Sequence, residues 1–170
     1  MFKVGDYVVY GNTGICRIED ITRLDMNVGD TDKLYYVLVP DDGRGGRSFL
    51  PVDNTKVVLR AVITKEEALE LIDRIPHIEK IGVGNDKQRE EKYKELAKQC
   101  DCESWVTIIK TIYVRRQERI AQGKKITATD DKYCRIAEDS LYSELGFAIG
   151  KNKDEMEAFI RERIDGMTFV

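Results

Sequence analysis

Residues 2–21 read F-K-V-G-D-Y-V-V-Y-G-N-T-G-I-C-R-I-E-D-I, and this stretch decides the fold. Phe2, Val4, Tyr7, Val8, Val9 and Tyr10 are aromatic or β-branched, the side chains that suit a pleated, half-buried surface. Gly11-Asn12-Thr13-Gly14 then breaks the run with residues that tolerate positive φ. Beyond the break, Ile15, Arg17, Glu19 and Ile21 alternate with Cys16, Ile18 and Asp20, which predicts a second strand. Gly5-Asp6 reads as a tight bend ahead of the first strand.

Two more apolar runs follow: Leu34 to Val39, closed by Pro40, and Ser48 to Val52, closed by Asp53-Asn54. Ahead of the first, residues 22–33 are polar and acidic and read as a hairpin loop; between the two, residues 41–47 form a glycine-rich turn. That turn is no phosphate-cradling loop, because no Gly-Lys-Ser/Thr follows and no helix starts there. Short strands at this spacing predict a small SH3/Tudor-like antiparallel β domain, a curled sheet or barrel, over residues 1–60.

The period of the apolar pattern then changes from two to about 3.6. Thr64-Lys65-Glu66-Glu67 has capping-box spacing ahead of Ala68, Leu69, Leu71 and Ile72. Ile75-Pro76-His77-Ile78 interrupts that helix. Asn85 or Asp86 caps a highly charged helix over 86–99, with Tyr93, Leu96 and Ala97 as a thin apolar stripe. Asp101 caps a longer one to about residue 121, in which Trp105, Ile108, Ile109, Ile112 and Tyr113 form one apolar face. Thr127 or Thr129 starts the next, to Ile149, with Ile136, Ala137, Leu141, Leu145 and Ala148 as its core. A last helix follows Asn152, lined by Met156, Phe159, Ile160 and Ile164. The fold class is therefore α+β: the β domain, then an all-α domain of about five helices over residues 61–170.

Charged residues make up 35 % of the chain and hydrophobic ones 42 %, the balance of a globular protein, and the net charge is −3. A general nucleic-acid binder would be basic overall, so any DNA contact must come from a local patch. Four cysteines, Cys16, Cys100, Cys102 and Cys134, lack the spacing of a disulfide framework, and no signal peptide or long apolar run is present. Reduced thiols in a cytoplasmic protein are the expectation. Cys100-Asp101-Cys102 with a lone His77 does not make the paired ligand spacing of a structural zinc site, so no metal and no cofactor are expected. His77 beside a proline is a turn residue, without the nucleophile and orienting group a catalytic base needs. There is no Walker motif and no nucleophile elbow, so the chain reads as no enzyme.

V-G-D-Y-V-V-Y-G-N-T-G (4–14), Y-Y-V-L-V-P (35–40) and L-P-V-D-N (50–54) resemble the amino-terminal domain of the CarD/CdnL family of bacterial transcription regulators. That domain is shared with the RNA-polymerase-interacting domain of transcription-repair coupling factor. D-C-E-S-W-V-T-I-I-K-T-I-Y-V-R-R-Q-E-R (101–119) and I-A-E-D-S-L-Y-S-E-L (136–145) are similar to the family's helical carboxy-terminal domain, so the resemblance covers nearly the whole chain in the family's domain order. It implies a regulator that holds the RNA polymerase β subunit by pairing a sheet edge with a strand of the β lobe. The residues here that match that edge are Ser48, Phe49 and Leu50, ahead of Pro51, with Arg47 just before them and Arg23 near another family contact in the first loop.

The resemblance also implies contact with promoter DNA and modulation of the open promoter complex. The family's wedge, a tryptophan at the start of the second helix of the helical domain, is replaced here by Asn85-Asp86-Lys87, and Trp105 falls on an apolar face instead. Backbone contact through Lys87, Arg89 and Lys92 is the expectation that remains. Residues 110–125 add six basic residues against one acid, a charge suited to phosphate. At about 100° per residue, Arg116 and Arg119 lie on or beside the apolar face and are expected to be partly buried against carboxylates. Lys110, Arg115, Lys124 and Lys125, with Lys132 beyond, are the residues expected on phosphate. The alternative from another class is a protein-interaction adaptor on RNA polymerase that never touches DNA; neither reading needs a membrane or a small-molecule substrate.

Overall fold

The computed structural model describes residues 1–24, 33–82 and 84–168, with side chains to 165. The chain divides into two compact units, Met1–Val62 and Ile63–Val170.

The described residues of the first unit form one antiparallel sheet of five strands: β1 (Tyr7–Tyr10), β2 (Gly14–Arg23), β3 (Leu34–Pro40), β4 (Ser48–Pro51) and β5 (Leu59–Ala61), in the order β4-β3-β2-β1-β5. The Gly11–Thr13 break is a single 3₁₀ turn, and Gly14 follows it at φ 92°, a conformation that only glycine adopts without strain. Thr22 and Arg23, expected in the hairpin loop, continue β2; residues 25–32 of that loop lie outside the described residues. The short strand β5 had no signal of its own, since Leu59-Arg60-Ala61 is too brief to show a period.

One face carries the core: Val8, Cys16, Ile18, Tyr36, Leu38 and Leu50 are buried together, flanked by Phe2, Tyr10, Ile21, Val52 and Leu59. Strict alternation along β2 would turn Asp20 inward with Cys16 and Ile18. A β-bulge between Ile18 and Asp20 prevents this: Ile18 pairs with Leu38 but Asp20 pairs with Val37, so Glu19 is the extra residue. The phase slips by one, Ile21 joins the core and Asp20 faces water.

Among its described residues the second unit holds five α-helices: α1 (Lys65–Arg74), α2 (Asp86–Gln99), α3 (Cys102–Ala121), α4 (Ala128–Ile149) and α5 (Lys153–Thr168). Thr64 closes a capping box with Glu67, Asn85 one with Gln88, and Asp101 and Thr127 cap α3 and α4. Gly150, at φ 86°, ends α4 in the left-handed conformation. Gly146 lies where a Cβ would meet the Lys151 carbonyl oxygen at 2.7 Å, so the chain turns into α5 at close range. A two-pronged ion pair ties α5 to α1, with Arg163 Nε 2.6 Å from Asp73 Oδ1 and the second guanidinium nitrogen 3.0 Å from Oδ2.

Helix α3 is the axis of this unit. Trp105, Ile108, Ile109 and Ile112 are buried on it, but so are Cys102, Ser104, Val106 and Thr111, because α2 and α4 both pack against it. On α4 the core is Tyr133, Cys134, Ala137, Leu141 and Leu145; Ile136, expected inside, is 37 % exposed. The three-residue step from Tyr133 carries Ile136 just past the edge of the stripe.

All four cysteines are buried thiols outside any disulfide. Burial first, then the charges of Asp42 and Asp41, push the Cys16 thiol from 9.0 up to about 11. Burial and Glu138 push Cys134 up to about 12. Both shifts are upward, so the stabilisation from keeping these thiols neutral is complete below pH 9.0 and is lost as the pH climbs through about 11 and about 12. All four are buried, and Cys16 and Cys134 are also held in the unreactive thiol form, so none is expected to react with iodoacetamide in the folded protein at pH 8. Mass spectrometry before and after unfolding checks this; a stoichiometric adduct on the native chain contradicts it.

Candidate polymerase edge and nucleic-acid interface

In the first unit, strand β4 is hydrogen-bonded on one side only among the described residues, so it is an edge. The phase of its ladder tells which groups face outward. The Val52 N–H donates to the Leu34 carbonyl at 3.0 Å, and the register runs Tyr35–Pro51, Tyr36–Leu50, Val37–Phe49, Leu38–Ser48. Inward and outward backbone groups alternate along a strand. Ser48 and Leu50 therefore face β3, while Phe49 and Pro51 turn their backbone groups outward. Pro51 has no N–H, so the outward donor of β4 is that of Phe49, flanked by the carbonyls of Phe49 and Pro51.

The side chains follow the same alternation. Leu50 is in the core and Phe49 is 47 % exposed on the other face. Arg47 sits just before the strand, paired with the bulge residue Glu19 at 2.9 Å. Arg23 is exposed at the end of β2, whose register puts it opposite Leu34.

In the second unit the basic residues fall into two sets. Lys110 and Arg115, expected to point away from the packed face, are both engaged inside the unit. The Lys110 ammonium donates to the carbonyls of Ile75 at 2.7 Å and Ile78 at 2.6 Å, holding the turn after α1. Burial, helped by Lys80, lowers its pKa. Arg115 Nε donates to Asp130 Oδ2 at 2.9 Å, and Tyr93 OH donates to Asp130 Oδ1 at 2.9 Å. Asp130 is 2 % exposed, so this carboxylate joins α2, α3 and α4 from inside. Burial and Asp130 together raise the Tyr93 phenol well above its usual range. The helical wheel failed at Arg115 because α3 is covered on more than its apolar stripe. Arg116, expected against a carboxylate, lies over the Tyr113 ring at 5.5 Å, and Arg119 Nε donates to the Lys125 carbonyl at 2.6 Å.

The other set is exposed. Lys124 and Lys125 lie in the loop between α3 and α4; Lys87 is in the first turn of α2. Lys132 extends over the Tyr133 ring at 5.4 Å, and Lys92 pairs with Glu95 at 3.4 Å. Arg89 is intermediate: its side chain is 13 % exposed, and it donates to Asp86 and to the Gly84 carbonyl.

The network around Asp130 brings Lys87, Arg89 and the Lys124–Lys125 loop of this set to one end of the unit. Arg115 links the first turn of α4, through Asp130, to the first turn of α2, through Asp86 at 3.9 Å. Two helix N-termini, each a positive end of a helix dipole, thus share a corner with Lys87, Arg89, Arg119 and the loop that carries Lys124 and Lys125. Tyr93, Asp86 and Asp130 had no sequence signal for this role: Tyr93 read as apolar stripe, Asp86 as a candidate helix cap, and Asp130 stood out in no pattern. Among the described residues no three His, Cys, Asp or Glu side chains cluster as metal ligands, and no helix is long and apolar enough to cross a membrane.

Residues 2–63 match the family model of the CarD-like/TRCF RID domain. A search of curated proteins found no match to the chain.

Proposed function

From the premise that residues 2–63 are a CarD-like/TRCF RID domain, the RNA-polymerase-interacting part of a transcription-related protein, we propose a division of labour between the two units. The β domain, residues 1–60, docks on the polymerase β subunit by adding a partner strand to the open edge of β4. The helical domain, residues 61–170, rests on promoter DNA through phosphate contacts and shifts the lifetime of the open complex. The chain acts by binding and catalyses nothing itself.

The observation that carries the reading is the outward-facing Phe49 N–H on an edge strand, inside the domain whose family interacts with polymerase. Main-chain pairing of this kind supplies affinity without asking much of the side chains, while Phe49, Arg47 and Arg23 sort partners. Lys87, Lys124, Lys125 and Lys132 are the phosphate contacts, with Lys92 and Arg89 behind them. Tethering makes a weak DNA contact sufficient, because the second contact becomes intramolecular at an effective concentration on the order of mM. Phosphate contacts position a protein without reading bases, so little sequence specificity is expected.

A salt titration tests the DNA half. With Lys124 and Lys125 both changed to alanine, the slope of log K against log salt for duplex DNA should fall by about 0.9 for each phosphate that the chain no longer neutralises, with binding weakened alike on unrelated sequences. An unchanged slope removes that loop from the interface. No DNA binding by the wild-type chain at low salt, even with polymerase present, turns the helical domain into a protein-binding adaptor.

A further inference from the structure

Asp86 is held in a way that its place in the helix does not require. It is the first residue of α2, but Asn85 already caps that helix and closes the box with Gln88. The Asp86 side chain is 91 % exposed, yet its Oδ1 atom accepts from Arg89 at 2.8 Å and lies 3.9 Å from a second guanidinium, that of Arg115. Those two arginines are mostly covered, at 13 % and 19 % exposed. The Asp86 carboxyl is held below the usual range, by the Arg89 hydrogen bond first and its charge second, with burial opposing and Arg115 and Arg119 adding.

Each of the three guanidinium groups is anchored from behind. Arg89 donates to the Gly84 carbonyl at 2.9 Å, Arg115 to Asp130 at 2.9 Å and Arg119 to the Lys125 carbonyl at 2.6 Å. A guanidinium carries five N–H donors, so each keeps others for a second acceptor. Arg89 and Arg115 therefore face the Asp86 carboxylate, which hangs in solvent, Arg115 also holds the buried Asp130, and Arg119, whose charge reaches Asp86 as well, is fixed on the loop after α3. Planar, pre-positioned guanidinium groups at the positive end of a helix are suited to oxyanions with several acceptor oxygens.

We propose that Arg89, Arg115 and Arg119 form a phosphate site that the chain fills with its own Asp86 carboxylate, which an incoming phosphate group displaces. The Asp86 side chain needs only to rotate out into water, where it already mostly lies. A phosphate brings more acceptor oxygens than the single one engaged by Arg89, and it relieves the uncompensated charge. For the source of the phosphate, a nucleic-acid backbone, the inference rests on the DNA reading above; the site itself does not. Asp86 then acts as an internal competitor that keeps the corner weak until polymerase has tethered the chain beside DNA.

The test uses the full chain carrying Asp86→Asn, and Asp86→Ser as a second variant, with a short duplex and inorganic pyrophosphate as probes. Both variants should bind the duplex several-fold more tightly than wild type, with a salt slope steeper by about 0.9 for the additional phosphate neutralised. Arg119→Ala in the Asp86→Asn background should return both quantities to the wild-type level. If pyrophosphate binding tightens and duplex binding does not, the site stands and the DNA reading falls. If neither probe binds more tightly to either variant, while thermal unfolding shows both folded, Asp86 guards no anion site and the inference is overturned.

Discussion

Replacing Phe49 with proline is expected to abolish capture of RNA polymerase by a chain that still folds. Phe49 supplies the outward N–H of edge strand β4, and proline removes that donor while leaving every bond between β4 and β3 in place. Proline is accepted in edge strands at such outward positions, and Phe49 is partly exposed, so little core packing goes with it. Proline one position earlier is the informative contrast. By the ladder phase, the Ser48 N–H faces β3, so Ser48→Pro breaks a native bond and should destabilise the β domain by roughly 1–3 kcal/mol, while leaving the outward donor intact. A pull-down with both variants, alongside circular dichroism, separates the cases. Full capture by a folded Phe49→Pro chain rules out β4 as the docking edge.

Asp130→Ala should produce the largest loss of stability in the helical unit. Asp130 accepts from Tyr93 of α2 and Arg115 of α3 while sitting in the first turn of α4, so one truncation orphans a phenol and a largely covered guanidinium. Breaking a buried pair from one side costs about 3–5 kcal/mol, and the lower end applies because Arg115 keeps some contact with water. Tyr93→Phe removes a single donor and should cost about 1 kcal/mol. Urea unfolding followed by the fluorescence of Trp105, the one tryptophan and a buried residue of α3, reads both variants in this unit. Near-equal midpoints for wild type and Asp130→Ala would show that the three helices do not depend on this carboxylate. The two predictions also differ in what they should spare: loss of Asp130 disturbs the corner that carries the lysines, whereas polymerase capture through β4 should persist.

The strands and helices were legible because their signals are local. Aromatic and β-branched content marked β1, alternation marked β2 and apolar runs closed by turn residues marked β3 and β4, while Thr64, Asn85, Asp101 and Thr127 each announced a helix with a capping side chain that bonds within three residues. The same locality explains the misses. Nothing in I-C-R-I-E-D-I says that Glu19 is the inserted residue of a bulge, because a bulge is defined by the partner strand. Ile136 has the spacing of a core residue but the core passes beside it, since the width of a buried stripe depends on which helices lie against it.

The chain's amino acids by themselves determined a β unit followed by a helical one, the location of the candidate edge strand and the supply of basic residues for a phosphate surface. Folding in three dimensions decided which of those groups are left over for a partner. It consumed Lys110 on two carbonyls, anchored Arg115 from behind on Asp130, left Lys124 and Lys125 in water, and turned the Phe49 N–H rather than the Ser48 N–H outward. The physical reason is that a charge or a donor is spent or spare according to the nearest acceptor in space, and the acceptors of Lys110 stand 35 and 32 residues away along the chain.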